Sequence, residues 1–209
     1  MRVLIVDDHA VVRGGVRNII DDPRGTAVCG EAGTRAEALA LVQQQAWDLV
    51  ILDLSLGGDS GLDVLTTLRQ IRPGLPVLVL TMHPERQYAR RVLKSGAAGY
   101  VTKDGSSAEL RLAIQRVLAG GRYVSPNLAE TLLADLETGS LRLPHESLSG
   151  REFEVMRLIA SGRTVREIAF QLALSDRTVS TYRTRVLEKM QMKSNAELTH
   201  YAVRSGLTE

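Results

Sequence analysis

MRVLIVDD, residues 1–8, decides the fold, because three later apolar runs repeat its form. WDLVILD (47–53) closes on Asp53, PVLVLT (76–81) on Thr81 and GYVTK (99–103) on Lys103, as the first run closes on Asp7-Asp8. Each run is short and rich in Val, Ile and Leu, as strands buried on both faces are. Stretches with helical spacing separate them, so the strands are expected to be parallel. Parallel strands bring all four C-terminal ends to one sheet edge, where open α/β sheets form ligand crevices. That edge collects three carboxylates, one hydroxyl and one ammonium. Clustered carboxylates repel one another, and a hard divalent ion such as Mg2+ suits their oxygens. Lys103 and Thr81 are left to hold an anion beside it. A carboxylate that meets a metal, a cation and a hydroxyl is placed to accept a phosphoryl group.

The rest of the first half fits this frame. Strands are expected near 2–7, 26–31, 48–53, 76–80 and 98–101, and helices near 10–22, 35–45, 61–71, 84–95 and 106–119. Val12, Val16, Ile19 and Ile20 share one face of the first helix. Thr34-x-x-Glu37 and Ser106-x-x-Glu109 read as capping boxes. Five βα units with right-handed crossovers give a doubly wound, five-stranded parallel sheet.

Taken together, residues 1–121 resemble the receiver domain of two-component response regulators. The resemblance implies the flavodoxin-like strand order 2-1-3-4-5. It also implies that Asp53 is the phosphoacceptor, Asp8 a direct Mg2+ ligand and Asp7 a ligand largely through water. The backbone carbonyl of Ser55 would complete the metal set. Thr81 would bond the phosphoryl group and Lys103 would pair with it. Tyr100 stands where the family keeps its switch aromatic.

Composition sets the outer bounds. At 209 residues, 44% hydrophobic and 24% charged, the chain reads as one large or two modest globular domains. No run reaches the ~18 apolar residues of a membrane span. The N-terminal residues read directly as strand, so no secretory signal is expected. Cys29 is the only cysteine; it is expected to be buried and inert, and a cytoplasmic location fits. Charge is uneven. Residues 1–147 carry 16 Lys and Arg against 17 Asp and Glu, net −1, and residues 148–209 carry 10 against 7, net +3. Within 177–193, five basic residues face Glu188 alone, which suits a polyanion.

After Gly120-Gly121 the pattern changes. Pro126-Asn127 opens a short helix expected to reach Leu136, and ETGSLRLPHES (137–147) reads as linker. Residues 122–147 thus separate the receiver from an all-helical domain, 148–209. There, Ser149-x-x-Glu152, Thr164-x-x-Glu167 and Ser194-x-x-Glu197 mark helices near 150–161, 165–171 and 195–205. Gly162 and Gly206 fall at C-caps. Ser175 caps a further helix, 176–190, and the turn at Ala173-Leu174-Ser175 makes a helix-turn-helix.

LSGREFEVM, REIA, LSDRTV and LEKM within 148–209 resemble the LuxR-type DNA-binding domain. With the receiver, this identifies the chain as resembling the NarL/FixJ class of response regulators. TVSTYRTR and ELTHYAVRSGL look nearest the GacA, EvgA and BvgA group. At 100° per residue, Val179, Val186 and Met190 form the inward stripe of helix 176–190, flanked by Tyr182 and Leu187. Ser180, Thr181 and Thr184 are then expected to meet base edges. Arg177, Arg183, Arg185 and Lys189 suit phosphates. The expected partners are a cognate histidine kinase, double-stranded DNA half-sites and, in the active state, a second copy.

The chain departs from these families in four places. Many LuxR-type relatives have Lys and His where this chain has Ser180 and Tyr182. Receivers usually have Pro where it has Gly57, which should make SLGGDSG more flexible. Met82 replaces a small residue and should slow water reaching the phosphoryl group. Two other readings share parts of this pattern. HAD-type phosphotransferases also use Asp, Thr and Lys, but their nucleophile sits on the first strand in an Asp-x-Asp motif. A receiver controlled by protein partners without phosphorylation is the other. No nucleotide-binding glycine motif is present.

Overall fold

In the computed structural model of the chain, residues 1–20, 27–130 and 143–208 are described. The chain divides into two compact units, Met1–Leu132 and Leu133–Glu209.

The first unit alternates strand and helix. It comprises β1 (Arg2–Val6), α1 (Ala10–Ile20), β2 (Val28–Ala32), α2 (Arg35–Gln44), β3 (Leu49–Leu52), β4 (Ser55–Leu56), β5 (Asp59–Ser60), α3 (Gly61–Ile71), β6 (Val77–Thr81), α4 (Glu85–Lys94), β7 (Gly99–Thr102) and α5 (Ser107–Leu118). The main sheet has the order β2-β1-β3-β6-β7, and every pairing in it is parallel. Counted without the small β4–β5 hairpin, this is 2-1-3-4-5, as expected. The central strands are buried on both faces: Leu4, Leu49, Val50, Val77 and Leu78 are wholly inaccessible. Each such leucine contributes roughly 1.5–3 kcal/mol through burial. Val16 and Ile20 of α1 pack into the same core, with Val12 and Ile19 half-buried against it.

Two expectations need correction. Cys29 is half-buried rather than buried, because β2 is an edge strand and its burial is partial along most of its length. SLGGDSG is not a loose loop. Ser55 pairs with Ser60 and Leu56 with Asp59, closing a two-residue turn at Gly57-Gly58. Gly57 has φ +52, a left-handed conformation that a proline could not adopt.

Beyond α5, Tyr123 adds one parallel bridge to Gly99 at the sheet edge. Ser125 then caps α6, whose described part is 126–130. The expected continuation of this helix to Leu136, and linker positions 137–142, lie outside the described residues.

The second unit holds a 3-10 turn (Pro144–Ser147), α7 (Gly150–Ala160), α8 (Val165–Gln171), α9 (Asp176–Met190) and α10 (Asn195–Arg204). Part of the expected linker is therefore ordered: His145 is buried, and its Nδ1 lies 2.7 Å from the Tyr201 hydroxyl. Ser149 and Thr164 form reciprocal capping boxes. The other three signals are only half realised. Thr34, Ser106 and Ser194 accept from the third backbone N–H, but Glu37 and Glu197 reach one residue further back, to Gly33 and Lys193. Glu109 instead accepts from the Tyr123 hydroxyl.

Gly162 and Gly206 close α7 and α10 with φ +80 and +65, as their positions imply. Helices α8 and α9 end the same way without glycine, on Ala173 (φ 53) and Gln191 (φ 56). The N–H of Leu174 reaches the carbonyl of Ala169, and that of Met192 the carbonyl of Leu187, the six-to-one bond of a Schellman end. A Cβ at left-handed φ costs about 1–2 kcal/mol. Ala173→Gly is therefore expected to stabilise this unit by about 1 kcal/mol, less the larger chain entropy of glycine. Urea melts of the second unit check this; an unchanged or lower midpoint would count against a strained turn.

Candidate functional site

Strand register builds the first site. Val6 pairs with Leu52 and Leu52 with Val79, while Thr81 pairs with Thr102. The residues that follow these strands, Asp7, Asp53 and Lys103, therefore emerge together beside Thr81. Backbone bonds fix the ends: the N–H of Asp53 donates to Val6, and that of Lys103 to Thr81, both at 2.9 Å. Gly61 packs directly on the chain at Asp53. A Cβ there would sit 2.2 Å from the Asp53 carbonyl oxygen, so no larger residue fits without moving the acidic loop.

Lys103 Nζ bridges two carboxylates, Asp53 Oδ2 at 2.6 Å and Asp7 Oδ2 at 2.7 Å. Asp7 Oδ1 accepts from the backbone N–H of His9 at 2.9 Å. Asp8 Oδ1 lies 2.7 Å from His9 Nδ1, and its Oδ2 accepts from the N–H of Gly57 at 3.1 Å. One oxygen of the three carboxylates is left over: Asp53 Oδ1 is buried and has no hydrogen-bond partner. Burial is the main reason the Asp53 carboxyl is pushed above the usual carboxylate range. Lys103 opposes this, the Asp7 charge adds to it, and Thr81 opposes it weakly. Burial also works against the Lys103 ammonium, but its bonds and attraction to Asp53 and Asp7 together prevail and raise its pKa.

The charge count shows what fits. Three carboxylates against one ammonium leave two negative charges without a fixed cation, which a divalent ion with oxygen ligands would neutralise. Asp7, Asp8 and His9 also present one ligand atom each within 4.8 Å of one another.

Thr81 is fully buried, and its Oγ1 accepts from the His83 N–H at 3.4 Å. The His83 carbonyl in turn accepts from the Tyr100 hydroxyl at 2.7 Å, and the Tyr100 ring is fully buried. His83 Nε2 lies 3.2 Å from Ser55 Oγ, and its ring stacks on Tyr88 at 4.3 Å. Sequence reasoning missed His83. It is the second residue beyond Thr81, and nothing in its type flags it. Met82 is 70% exposed.

The second site is the outer face of α9. Val179, Val186 and Met190 are buried, with Tyr182 and Leu187 half-buried beside them. Arg177, Ser180, Thr181, Thr184, Arg185 and Lys189 are exposed. Thr181 and Thr184 donate their hydroxyls to the carbonyls of Arg177 and Ser180, which leaves oxygen lone pairs for an outside donor. Two of the basic residues have internal partners. Arg183 Nε donates to Asn195 Oδ1 at 2.7 Å. Lys189 Nζ lies 2.6 Å from Glu152 Oε2, within the capping box of α7. Burial raises the Glu152 pKa, but bonds from Lys189 and the Ser149 backbone outweigh it and hold the carboxyl low.

Comparison with known proteins agrees with both halves. The response regulator receiver domain matches residues 3–115, and the luxR family of bacterial regulatory proteins matches residues 146–202. The response regulator UvrY of Escherichia coli (strain K12) is 37% identical over 208 residues, covering 99% of this chain and 95% of that one. The response regulator GacA of Pseudomonas aeruginosa is 37% identical over 210 residues, covering 100% and 98%. Among solved structures, RcsB from Salmonella enterica serovar Typhimurium, bound to promoter P1flhDC in the presence of phosphomimetic BeF3−, superposes with a TM-score of 0.61. It is 28% identical and covers 99% of this chain and 98% of that one. Among the described residues, no helix is long and apolar enough to cross a membrane. A five-stranded parallel sheet with an acidic pocket at one edge, a helix-turn-helix in the second unit and full-length likeness to these regulators lead to one conclusion: the chain belongs to the NarL/FixJ-class response regulators, DNA-binding transcriptional regulators with a receiver and a LuxR-type domain.

Proposed function

We propose that Asp53 accepts a phosphoryl group from the phosphohistidine of a cognate histidine kinase in the cytoplasm, and that the phosphorylated chain binds promoter half-sites as a homodimer. The observation that carries the first step is the unpartnered Asp53 Oδ1, the one acidic oxygen in the pocket with nothing to displace. That oxygen attacks phosphorus in line; the new P–O bond forms as the P–N bond to the kinase imidazole breaks, and the imidazole leaves with the bonding pair. Asp8, Asp53 and the Ser55 carbonyl would hold Mg2+ directly and Asp7 through water; bound there, the ion neutralises charge on the phosphoryl oxygens. Lys103 pairs with one phosphoryl oxygen, exchanging part of its hold on Asp53. Thr81 donates its hydroxyl to another. Turning that hydroxyl alters its contact with the His83 N–H, and the His83 carbonyl is the acceptor of Tyr100. Thr81 and Tyr100 thus act as one two-state element. Exposed Met82 hinders water at the same rim. Mass spectrometry after incubation with acetyl phosphate and Mg2+ tests this step through the gain of one phosphoryl group on an aspartate.

On α9, Ser180, Thr181 and Thr184 read base edges, while Arg177 and Arg185 bind phosphates. Arg183 keeps its Nη donors for the same backbone while Nε stays on Asn195, and Lys189 shares its ammonium with Glu152. Thr184→Ala or Ser180→Ala is expected to change relative affinity among operator variants by about 1–3 kcal/mol. Arg177→Ala should weaken all sequences alike and flatten the salt dependence. Lys189→Ala should show mainly as lost stability, because Glu152 keeps its charge and loses its cation. Gel shifts at two salt concentrations, paired with urea melts, separate these effects. Selectivity that moves with Arg177 and ignores Thr184 would invert the assignment.

A further inference from the structure

The acidic pocket contains a nitrogen that an all-oxygen Mg2+ site has no use for. His9 Nδ1 lies 2.7 Å from Asp8 Oδ1 and 3.4 Å from Asp7 Oδ1. The His9 backbone N–H is tied to Asp7 Oδ1 at 2.9 Å, so the residue is anchored at the pocket mouth. The Asp7 carboxylate is almost fully buried, Asp8 is partly open and the His9 side chain is 67% exposed, so the cluster runs from the interior to solvent. The independent sign that a ligand belongs here is Asp53. It is 97% buried by its 3% exposure, it reaches the cluster through Lys103 Nζ shared with Asp7, and it keeps one oxygen without a partner.

We propose that His9 acts as a nitrogen donor at this pocket and biases it toward first-row transition ions over Mg2+. This rests on the pocket being the metal site described above. Magnesium favours oxygen ligands and retained water, whereas imidazole suits Co2+, Ni2+, Zn2+ and, more weakly, Mn2+. An ion seated at the pocket mouth would draw on both Asp8 Oδ1 and His9 Nδ1, which already lie 2.7 Å apart. With Asp7 behind it, the donor set mixes one nitrogen with carboxylate oxygens, all within 4.8 Å of one another. The competing role for His9 is that of a plain counter-cation to the acidic pair. In that role its loss shifts every divalent ion in the same direction and by a similar factor.

Untagged full-length protein and its His9→Ala and His9→Gln variants are titrated with Mg2+ and with Co2+ by calorimetry. Pulsed EPR of the Mn2+-loaded proteins reads nitrogen coupling directly. The ratio of Co2+ to Mg2+ affinity is expected to fall on the order of ten-fold in both variants, and the imidazole nitrogen coupling to disappear. An unchanged ratio, or wild-type protein without nitrogen coupling, overturns the inference. If Mg2+ still binds and Asp53 is still phosphorylated in that case, only the role of His9 falls. If neither ion binds the wild-type chain, the metal reading of the pocket falls with it.

Discussion

Asp53→Asn is expected to abolish labelling by acetyl phosphate and leave the receiver folded. The amide nitrogen is no nucleophile toward phosphorus, and no neighbouring carboxylate is free to substitute. Asp7 is held by Lys103 and the His9 N–H, and Asp8 by His9 and the Gly57 N–H. Stability gives a second readout with a definite sign. Burial raises the Asp53 pKa above that of an ordinary exposed carboxyl. A carboxyl whose folded pKa exceeds its unfolded one favours folding fully below the unfolded value and loses that contribution as pH rises through the folded value. The wild-type chain therefore keeps less of it the further pH rises above the usual carboxylate range. The neutral amide does not titrate and still offers Lys103 an oxygen, while Lys103 keeps Asp7. The variant should thus equal or exceed wild type at pH 7 by up to about 1 kcal/mol. That margin should shrink as pH falls toward the usual carboxylate range. Intact-mass measurement and melts across pH check both parts. A phosphoryl mass on an aspartate of the variant would remove Asp53 from the acceptor role.

The pocket was legible in the sequence because its residues end buried strands. MRVLIVDD and WDLVILD are too apolar to sit anywhere but the sheet centre, and parallel pairing then fixes where Asp7 and Asp53 emerge. Thr81 and Lys103 follow from the same rule applied to β6 and β7. The two faces of α9 were legible because period 3.6 separates Val179, Val186 and Met190 from Ser180, Thr181 and Thr184. Details that depend on side-chain reach were not. Nothing in the sequence says that Lys103 forks between Asp53 and Asp7, or that Lys189 turns back to Glu152. A long flexible side chain has several acceptors in range, and only the folded backbone selects one. The left-handed ends at Ala173 and Gln191 were hidden for a different reason. Glycine announces such a turn, whereas here the backbone bonds from Leu174 to Ala169 and from Met192 to Leu187 close it without one. Cys29 was misplaced because hydrophobic pattern alone does not distinguish an edge strand from a central one when the edge is apolar too.

The fragment 143–209 is expected to bind DNA equally with and without acetyl phosphate, while the intact chain binds more tightly once phosphorylated. One recognition helix covers few base pairs, so helix-turn-helix proteins usually engage two half-sites as dimers. Residues 148–209 carry net +3, which holds a monomer weakly at physiological salt. Joining two such units through their receivers makes the second contact intramolecular, a gain that reaches 10²–10⁴-fold when the geometry matches, so about ten-fold or more is expected. The starting residue matters. His145 packs between Phe153 and Tyr201 with ring centroids 5.8 Å from each, and its Nδ1 meets the Tyr201 hydroxyl. A fragment cut at 148 would strip that imidazole from α7 and α10 and take one partner from the half-buried Tyr201 hydroxyl, at a cost of about 1 kcal/mol beyond the lost packing. Weak binding by that shorter piece would then report unfolding rather than regulation. With the longer fragment the two causes separate: sedimentation gives the assembly state, and gel shifts give affinity for both phosphorylation states. An intact chain that stays monomeric and binds equally in both states would refute phosphorylation-driven dimerisation, and the receiver would then need another route to the DNA-binding domain.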